Sequence, residues 1–267
     1  MSDLEIVVCM KVVPKSEEIR VDTETLLLER TGVRSEINPP DMNALEMALA
    51  LKDDQPARIS ILSMGPPFFE PILRVGLAMG AERFFLLSDR EFAGADTLAT
   101  TYTLAKGIEK IGKFDLILCG EESADGATGQ VPPGLAEWLG LPQVTLATEL
   151  SVDQKKKRIA RVRREIKGGY EIQEVKLPTV ISVKTASNEP RFIDYQRKSW
   201  AFEEAEVAIW SRDDVDVEDG YIGLTGSPTV VSGLREAEVR ERRKEFLRGS
   251  PEEVAKELAK RLQGLLT

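Results

Sequence analysis

Four short apolar runs punctuate the first half of the chain: LEIVVCM (4–10), ARISILS (57–63), ERFFLLS (82–88) and FDLILCG (114–120). Each has the length of a strand. Between the later runs the apolar positions recur at helical spacing, which predicts helices over 41–53, 68–79 and 95–111. A fourth helix is predicted over 131–140, and PQVTLATEL (142–150) gives a fifth strand. In the first helix Leu45, Ala48, Leu49 and Lys52 fall on neighbouring faces. Strands alternating with helices predict an α/β fold: a five-stranded parallel, doubly wound sheet with helices on both faces.

Three stretches leave this rhythm. EIRVDTETLLLERTG, within an insertion over about 18–30, reads as a small hairpin turning near Asp22–Glu24, close to the carboxyl end of the first strand. Residues 149–184 alternate basic and apolar positions, turn at Gly168–Gly169 and alternate again, so an antiparallel hairpin is predicted over about 150–184. Its Arg and Lys face solvent, and Glu171 and Glu174 on the returning strand neutralise them. Residues 185–234 carry little periodicity and many Asn, Pro, Asp and Gly. A stretch of that kind in a compact domain is usually functional or docked on a partner. The remaining segment, 235–267, ends in a helix with Ser250 as its N-cap and Pro251 at its first position. Val254, Leu258, Leu262 and Leu265 form one apolar stripe along it. The expected division is therefore 1–184, 185–234 and 235–267.

Composition narrows the chemistry. A net charge of −9 argues against a general nucleic-acid binder. No apolar run approaches the roughly 20 residues that span a bilayer. The first residues enter a strand without a basic leader, so the chain reads as cytoplasmic. Two cysteines are too few for a disulfide framework or a thiolate metal site, and no metal site is expected. The absence of histidine removes Ser-His-Asp and Cys-His catalysis and the usual zinc sites, leaving difficult chemistry to a bound cofactor.

Candidate binding residues gather at predicted strand ends and helix starts. GEESADGATGQVPPG (120–134) runs from the fourth strand into a helix, where backbone amides and the helix dipole favour an anion. Gly126 and Gly129 let backbone approach a phosphate, and Thr128 offers a hydroxyl. Asp125 is repelled by phosphate and should face a ribose or cap the turn. A phosphate cradle and a plain capped turn both fit this pattern. Turns at CMKVVP, NPPDMN (38–43) and SMGPP (63–67) face the same edge, where open α/β sheets bind ligands. Cys9 and Cys119 would be neighbours if the first and fourth strands are adjacent, with buried packing as their simplest role. In GADTLATTYTLAKGI (94–108), Asp96 is a helix N-cap, and Thr97, Thr100 and Thr101 share a face that could bond a ligand. No GxGxxG follows the first strand. GIEKIGKF (107–114) imitates a Walker A loop but has Phe114 where Ser or Thr should stand, and it reads as a helix end.

Taken in order, KVVP, INPPDMNALEMAL, SMGPP, LAMGAER, DLILCGEESADGATGQVPPGLAEWLGLPQVT, LPTVISVKTASNEPRF and GLTGSPTVV resemble the beta subunit of electron transfer flavoproteins over nearly the whole chain. The resemblance implies a heterodimer with an alpha subunit that carries an electron-transferring FAD on a mobile domain. This subunit would supply an adenine-nucleotide-binding α/β core and a C-terminal arm embracing the partner. Ordinary members hold a structural AMP in the beta subunit. Bifurcating members hold a second FAD, which takes a hydride from NADH and sends its electrons down two paths. ADTLATTYTLA matches the DT-AT segment of the bifurcating type. DGATGQVPP matches its DG-T-QVGP loop, with Gly129 where many members have Ala and Pro132 where they have Gly. The resemblance favours FAD, with AMP as the alternative.

It further implies cofactor contacts from Cys9, Met10 and Lys11, from Asn38 and Asp41, and from Ser63, Met64 and Gly65. Asp96, Thr97 and Thr100, then Cys119 and Gly120, and finally Asp125, Gly126, Ala127, Thr128, Gly129, Gln130 and Val131 complete the set. No side-chain acid or base in this subunit is required. Asn188, Glu189, Pro190 and Arg191 lie beside the family's loop for recognising acyl-CoA dehydrogenases. Quinone-linked subunits, ferredoxin and flavodoxin are further candidate electron acceptors.

Overall fold

The computed structural model describes residues 3–15, 20–21, 28–29, 34–153, 158–230 and 245–263. In chain order the elements are β1 (Leu4–Cys9), β2 (Val12–Pro14), β3 (Arg20–Val21), β4 (Leu28–Glu29), β5 (Ser35–Ile37), α1 (Pro39–Asp54), β6 (Ala57–Met64), α2 (Glu70–Met79), β7 (Arg83–Leu87), α3 (Thr97–Ile111), β8 (Leu116–Gly120) and α4 (Val131–Leu139). Then follow β9 (Gln143–Asp153), β10 (Ile159–Ile166), β11 (Gly169–Lys176), β12 (Thr179–Val183), α5 (Tyr195–Glu203), β13 (Ala208–Trp210) and α6 (Pro251–Gln263). Two units divide the chain, Met1–Leu234 and Arg235–Thr267.

One nine-stranded sheet organises the first unit, in the order β11-β10-β9-β12-β8-β1-β6-β7-β13. The five predicted strands are present as β1, β6, β7, β8 and β9, and their pairings from β9 to β13 through β12 are parallel. Because side chains alternate along a strand, Leu4, Ile6, Val8 and Met10 enter one layer with α1 and α2. Val7 and Cys9 enter the opposite layer with α3 and α4. The sheet is thus covered on both faces, as its near-continuous apolar strands require.

In this sheet two strands were not anticipated, and neither was the small pairing of β2 with β5. The predicted hairpin extends only to Lys176; Thr179–Val183 leaves it and inserts between β8 and β9 as a wholly buried parallel strand. The hairpin itself is β10 paired with β11, and Arg164 Nη1 donates to Glu171 Oε1 across it at 2.8 Å, with Arg161 opposite Glu174. This is the neutralisation expected from the charges. In the stretch read as irregular, β13 adds to β7, and α5 packs beside α2 with Arg74 Nη1 donating to the carbonyl of Ala205 at 3.0 Å. Near the first strand, β3 and β4 pair antiparallel, with Val21 opposite Leu28. The turn expected at Asp22–Glu24 lies outside the described residues.

In the second unit α6 begins with a reciprocal cap: the Ser250 amide donates to Glu253 Oε2 at 2.9 Å and the Glu253 amide to Ser250 Oγ at 3.3 Å. None of its described residues is buried, and Leu258 and Leu262 stand half exposed. Leu265 of the expected stripe lies outside the described residues. Among the described residues no helix is long and apolar enough to cross a membrane.

Candidate functional site

The order of connections creates a crevice. From β1 the chain steps to β6 on one side, whereas after β7 it returns across the sheet to lay β8 on the other side of β1. Connections diverge to opposite faces at the carboxyl ends of β1 and β8, the position at which open α/β sheets bind ligands. The candidate residues collect there.

Asp41, in the first turn of α1, bridges the two strand ends. The Lys11 amide donates to its Oδ2 at 2.8 Å and the Gly120 amide to its Oδ1 at 3.0 Å. Asn38, just before α1, reaches the following loop in both directions: its Nδ2 donates to the Glu122 carbonyl at 2.9 Å and its Oδ1 accepts from the Ala124 amide at 3.0 Å. Both residues are buried. They fix the start of the 121–130 loop relative to β1, so their role in this chain is to shape the crevice.

Burial pushes the Asp41 carboxyl up to about 7, against the pull of the bonds from Lys11, Asn38 and Gly120 and of the Lys11 charge. The folded value lies above the free value of 3.8, so proton binding favours the fold. The contribution is full below about pH 4 and is lost as pH rises through about 7. The unfolding free energy of the wild type should therefore fall relative to non-titrating Asp41→Asn by on the order of 2–4 kcal/mol between pH 4 and 8. Denaturant titrations at several pH values check this; a constant difference would show that Asp41 does not titrate in that range.

The 121–131 loop itself is exposed and rich in open donors. Ala127 (φ 46°) and Gly129 (φ 61°) adopt left-handed conformations. At 129 the conformation favours glycine; Gly126 is not left-handed, and a Cβ there would meet only Ser123 Oγ at 3.2 Å. The amides of Gly126, Thr128, Gly129 and Val131 donate to no protein acceptor among the described residues. The helix N-terminus contributes less than its position suggests. Pro132 and Pro133 occupy the second and third positions of α4 and carry no N–H, and Gly134 already bonds the Gln130 carbonyl. Any anion held here is therefore held mainly by loop amides.

Lys11 Nζ lies 2.6 Å from Asp125 Oδ1 and 3.4 Å from Ser123 Oγ, tying the loop to the end of β1. Burial raises the Asp125 carboxyl, but the Lys11 bond and charge outweigh it and hold the group below its ordinary value. At the end of β6, Ser63 Oγ is buried without a hydrogen-bond partner, an orphan that a polar ligand could satisfy. Met10 is buried, Met64 is half buried, and the Gly65 amide bonds the Leu87 carbonyl. Cys9 and Cys119 are side-by-side neighbours, both buried. The bond between them, together with burial, raises the Cys119 thiol well above its ordinary value, which fits packing and not reactivity.

Across the crevice α3 begins. Asp96 caps it, accepting from the Leu98 and Ala99 amides at 2.9 and 3.1 Å. Thr97 Oγ1 lies 3.5 Å from Thr128 Oγ1, so the helix start and the loop meet. Thr100 is half buried and makes no side-chain hydrogen bond among the described residues. Thr101, expected on the same face, is buried instead: it donates to the Leu98 carbonyl and accepts from Trp138 Nε1 at 3.2 Å. Sequence reasoning missed Ser227 and Thr229, which bond Asp96; their only local signal is the turn-forming GSPT they belong to.

The 188–191 segment stands apart from the crevice. Asn188 exchanges side-chain bonds with Asn43, and Arg191 forks onto Glu46 with Nη2 2.7 Å from Asp53 Oδ2. These side chains hold the segment in place, while Glu189 and Pro190 are exposed. Phe192 projects fully exposed beyond them, with Tyr195 84% exposed, beside a groove of about 550 Å³ lined by Met42, Val75 and Met79.

Comparison with known proteins gives a consistent picture. The electron transfer flavoprotein domain family matches residues 25–214. The chain is 45% identical over 237 residues to an electron transfer flavoprotein subunit beta of Clostridium acetobutylicum, covering 89% of this chain and 90% of the relative. It is 42% identical over 229 residues to the caffeyl-CoA reductase–Etf complex subunit CarD of Acetobacterium woodii, covering 85% and 86%. It is also 44% identical over 236 residues to protein FixA of Azorhizobium caulinodans, covering 85% and 83%.

Proposed function

The chain belongs to the electron transfer flavoprotein family as a beta subunit, and from that membership we propose that it binds FAD and accepts hydride from NADH in an electron-bifurcating heterodimer. Such a flavin would supply the two-electron chemistry that a chain without histidine does not offer from its own side chains. The observation that carries the reading is the contact of Thr97 with Thr128 at 3.5 Å. It joins the loop and the start of α3 into one polar wall, whose α3 end would serve a ligand that extends beyond the loop. The unpartnered loop amides suit a diphosphate, and Lys11, paired with Asp125, ties the same loop to the end of β1. The name of one relative, a subunit of a caffeyl-CoA reductase–Etf complex, supports a role in electron transfer.

AMP is the second reading. Gly129 and Pro132 depart from the bifurcating pattern, and Pro132 removes an amide from the helix start. In that case the subunit is a structural partner that docks an acyl-CoA dehydrogenase or a quinone-linked subunit. In either case an alpha subunit completes the dimer, and the exposed Phe192 and Tyr195 are the side chains proposed to meet an electron partner, with Asn188 and Arg191 positioning them. Ferredoxin or flavodoxin would take the low-potential electron in the first reading.

Denaturing the purified heterodimer and quantifying the released nucleotides separates the two. Two FAD per dimer is the expected outcome; one FAD and one AMP would replace the first reading with the second.

A further inference from the structure

Asp96 carries more than a helix cap. While its Oδ1 accepts from the first turn of α3, its Oδ2 accepts from the Thr229 amide at 3.0 Å and from Thr229 Oγ1 at 2.7 Å. Its own amide donates to Ser227 Oγ at 2.8 Å, and that hydroxyl donates to the Gly223 carbonyl at 2.7 Å. The bonds from Thr229, Ala99 and Leu98 outweigh burial and hold the carboxyl below its ordinary value. Both carboxylate oxygens are therefore occupied, and the group does not need a ligand to satisfy it.

The segment that supplies these bonds is pressed onto the chain leading into α3. Gly223 is left-handed (φ 52°), and a Cβ there would stand 1.9 Å from the Glu91 carbonyl oxygen. Residues 223–229 thus pack against the turn that leads into α3. On the loop side, the contact of Thr97 with Thr128 is long and weak. The body of α3 is set by its packing on the sheet and α4, and its first turn is further fixed by the bonds of Asp96 to Ser227 and Thr229.

We propose that Ser227 and Thr229 are positioning residues of the nucleotide site, acting through Asp96 to hold the first turn of α3 where Thr97 and Thr100 meet the far end of a dinucleotide. This rests on the FAD reading above, and it makes Asp96 a mediator, not a contact. It also predicts a split between ligands. A dinucleotide that extends to α3 feels the tether, whereas a mononucleotide confined to the 121–131 loop does not.

The test titrates FAD and AMP separately into nucleotide-stripped heterodimer. Thr229→Val, which removes the hydroxyl bond to the Asp96 carboxylate, should weaken FAD about fivefold, and adding Ser227→Ala, which also removes the acceptor of the Asp96 amide, should weaken it about tenfold or more. AMP affinity should hold, and Thr229→Ser should restore FAD. Unchanged FAD affinity in the double variant overturns the proposal, as does an equal loss for both nucleotides accompanied by a lower melting temperature. Thr97→Val with Thr100→Val, run in parallel, separates the two levels. If that variant alone weakens FAD, only the tether is wrong. If neither variant does, or if the wild type fails to take FAD, the FAD reading falls with it.

Discussion

Replacing Asp41 by alanine is expected to lower the unfolding free energy by about 2–4 kcal/mol and to leave the folded fraction without nucleotide. The carboxylate is the common acceptor for two amides on different strands, Lys11 on the β1 side and Gly120 at the end of β8. Both amides lie at the crevice, and a methyl group accepts from neither. Each donor orphaned in a buried setting costs about 1–3 kcal/mol, offset in part by removing a carboxyl that is itself costly to ionise there. The functional loss should exceed the thermodynamic one, because Lys11 and the 121–131 loop both start from these amides. Chemical denaturation and nucleotide content of the purified heterodimer measure the two effects. An alanine variant with full nucleotide content would show that the bridge does not shape the site.

The double change Thr97→Val and Thr100→Val should weaken FAD by about one to two orders of magnitude, or about 1.4–2.8 kcal/mol, for two hydrogen bonds removed at constant shape. Valine is branched like threonine, so the helix start should persist under its Asp96 cap. NADH-driven reduction should fall in parallel with flavin content. AMP, if held by the 121–131 loop alone, should bind as before. Isothermal titration with each nucleotide, followed by NADH kinetics, is decisive: full flavin content with unaltered kinetics would mean that these hydroxyls face no flavin.

How far the chain could be understood without coordinates depends on where each element gets its stability. Strands such as LEIVVC and LILCG announce themselves because a parallel strand covered on both faces must be apolar throughout. TVISV has the same character, but it follows directly on an alternating strand, and the eye extends the hairpin through it. Three-residue β13 has no period to read. Helix α5 hides for a different reason: only Ala201 is buried, and Arg197 and Arg74 fasten the helix by donating to backbone carbonyls, a bond that leaves no apolar stripe. At the site, Asp41, Asn38, Lys11 and the 121–131 loop were legible because glycine, proline and acid at strand ends carry local meaning. The second oxygen of Asp96 was not, since its partner Thr229 lies 133 positions away. Nor was the effect of Pro132 and Pro133, which reads as a favourable helix start until the missing amides are counted.

The insertion of β12 between β8 and β9 has a consequence for synthesis. Five residues of β8 find their outer partner only in residues 179–183, some sixty positions later, and β9 finds its inner partner in the same segment. While the chain is emerging from the ribosome, β8 therefore presents an unpaired apolar edge until the whole β10–β11 hairpin has been made, and exposed edges of this kind recruit other chains. A product truncated before residue 179 would keep the nucleotide loop yet lack the strand that closes the sheet beside it. Mutations in TVISV should therefore be felt during translation as well as in the stability of the finished protein.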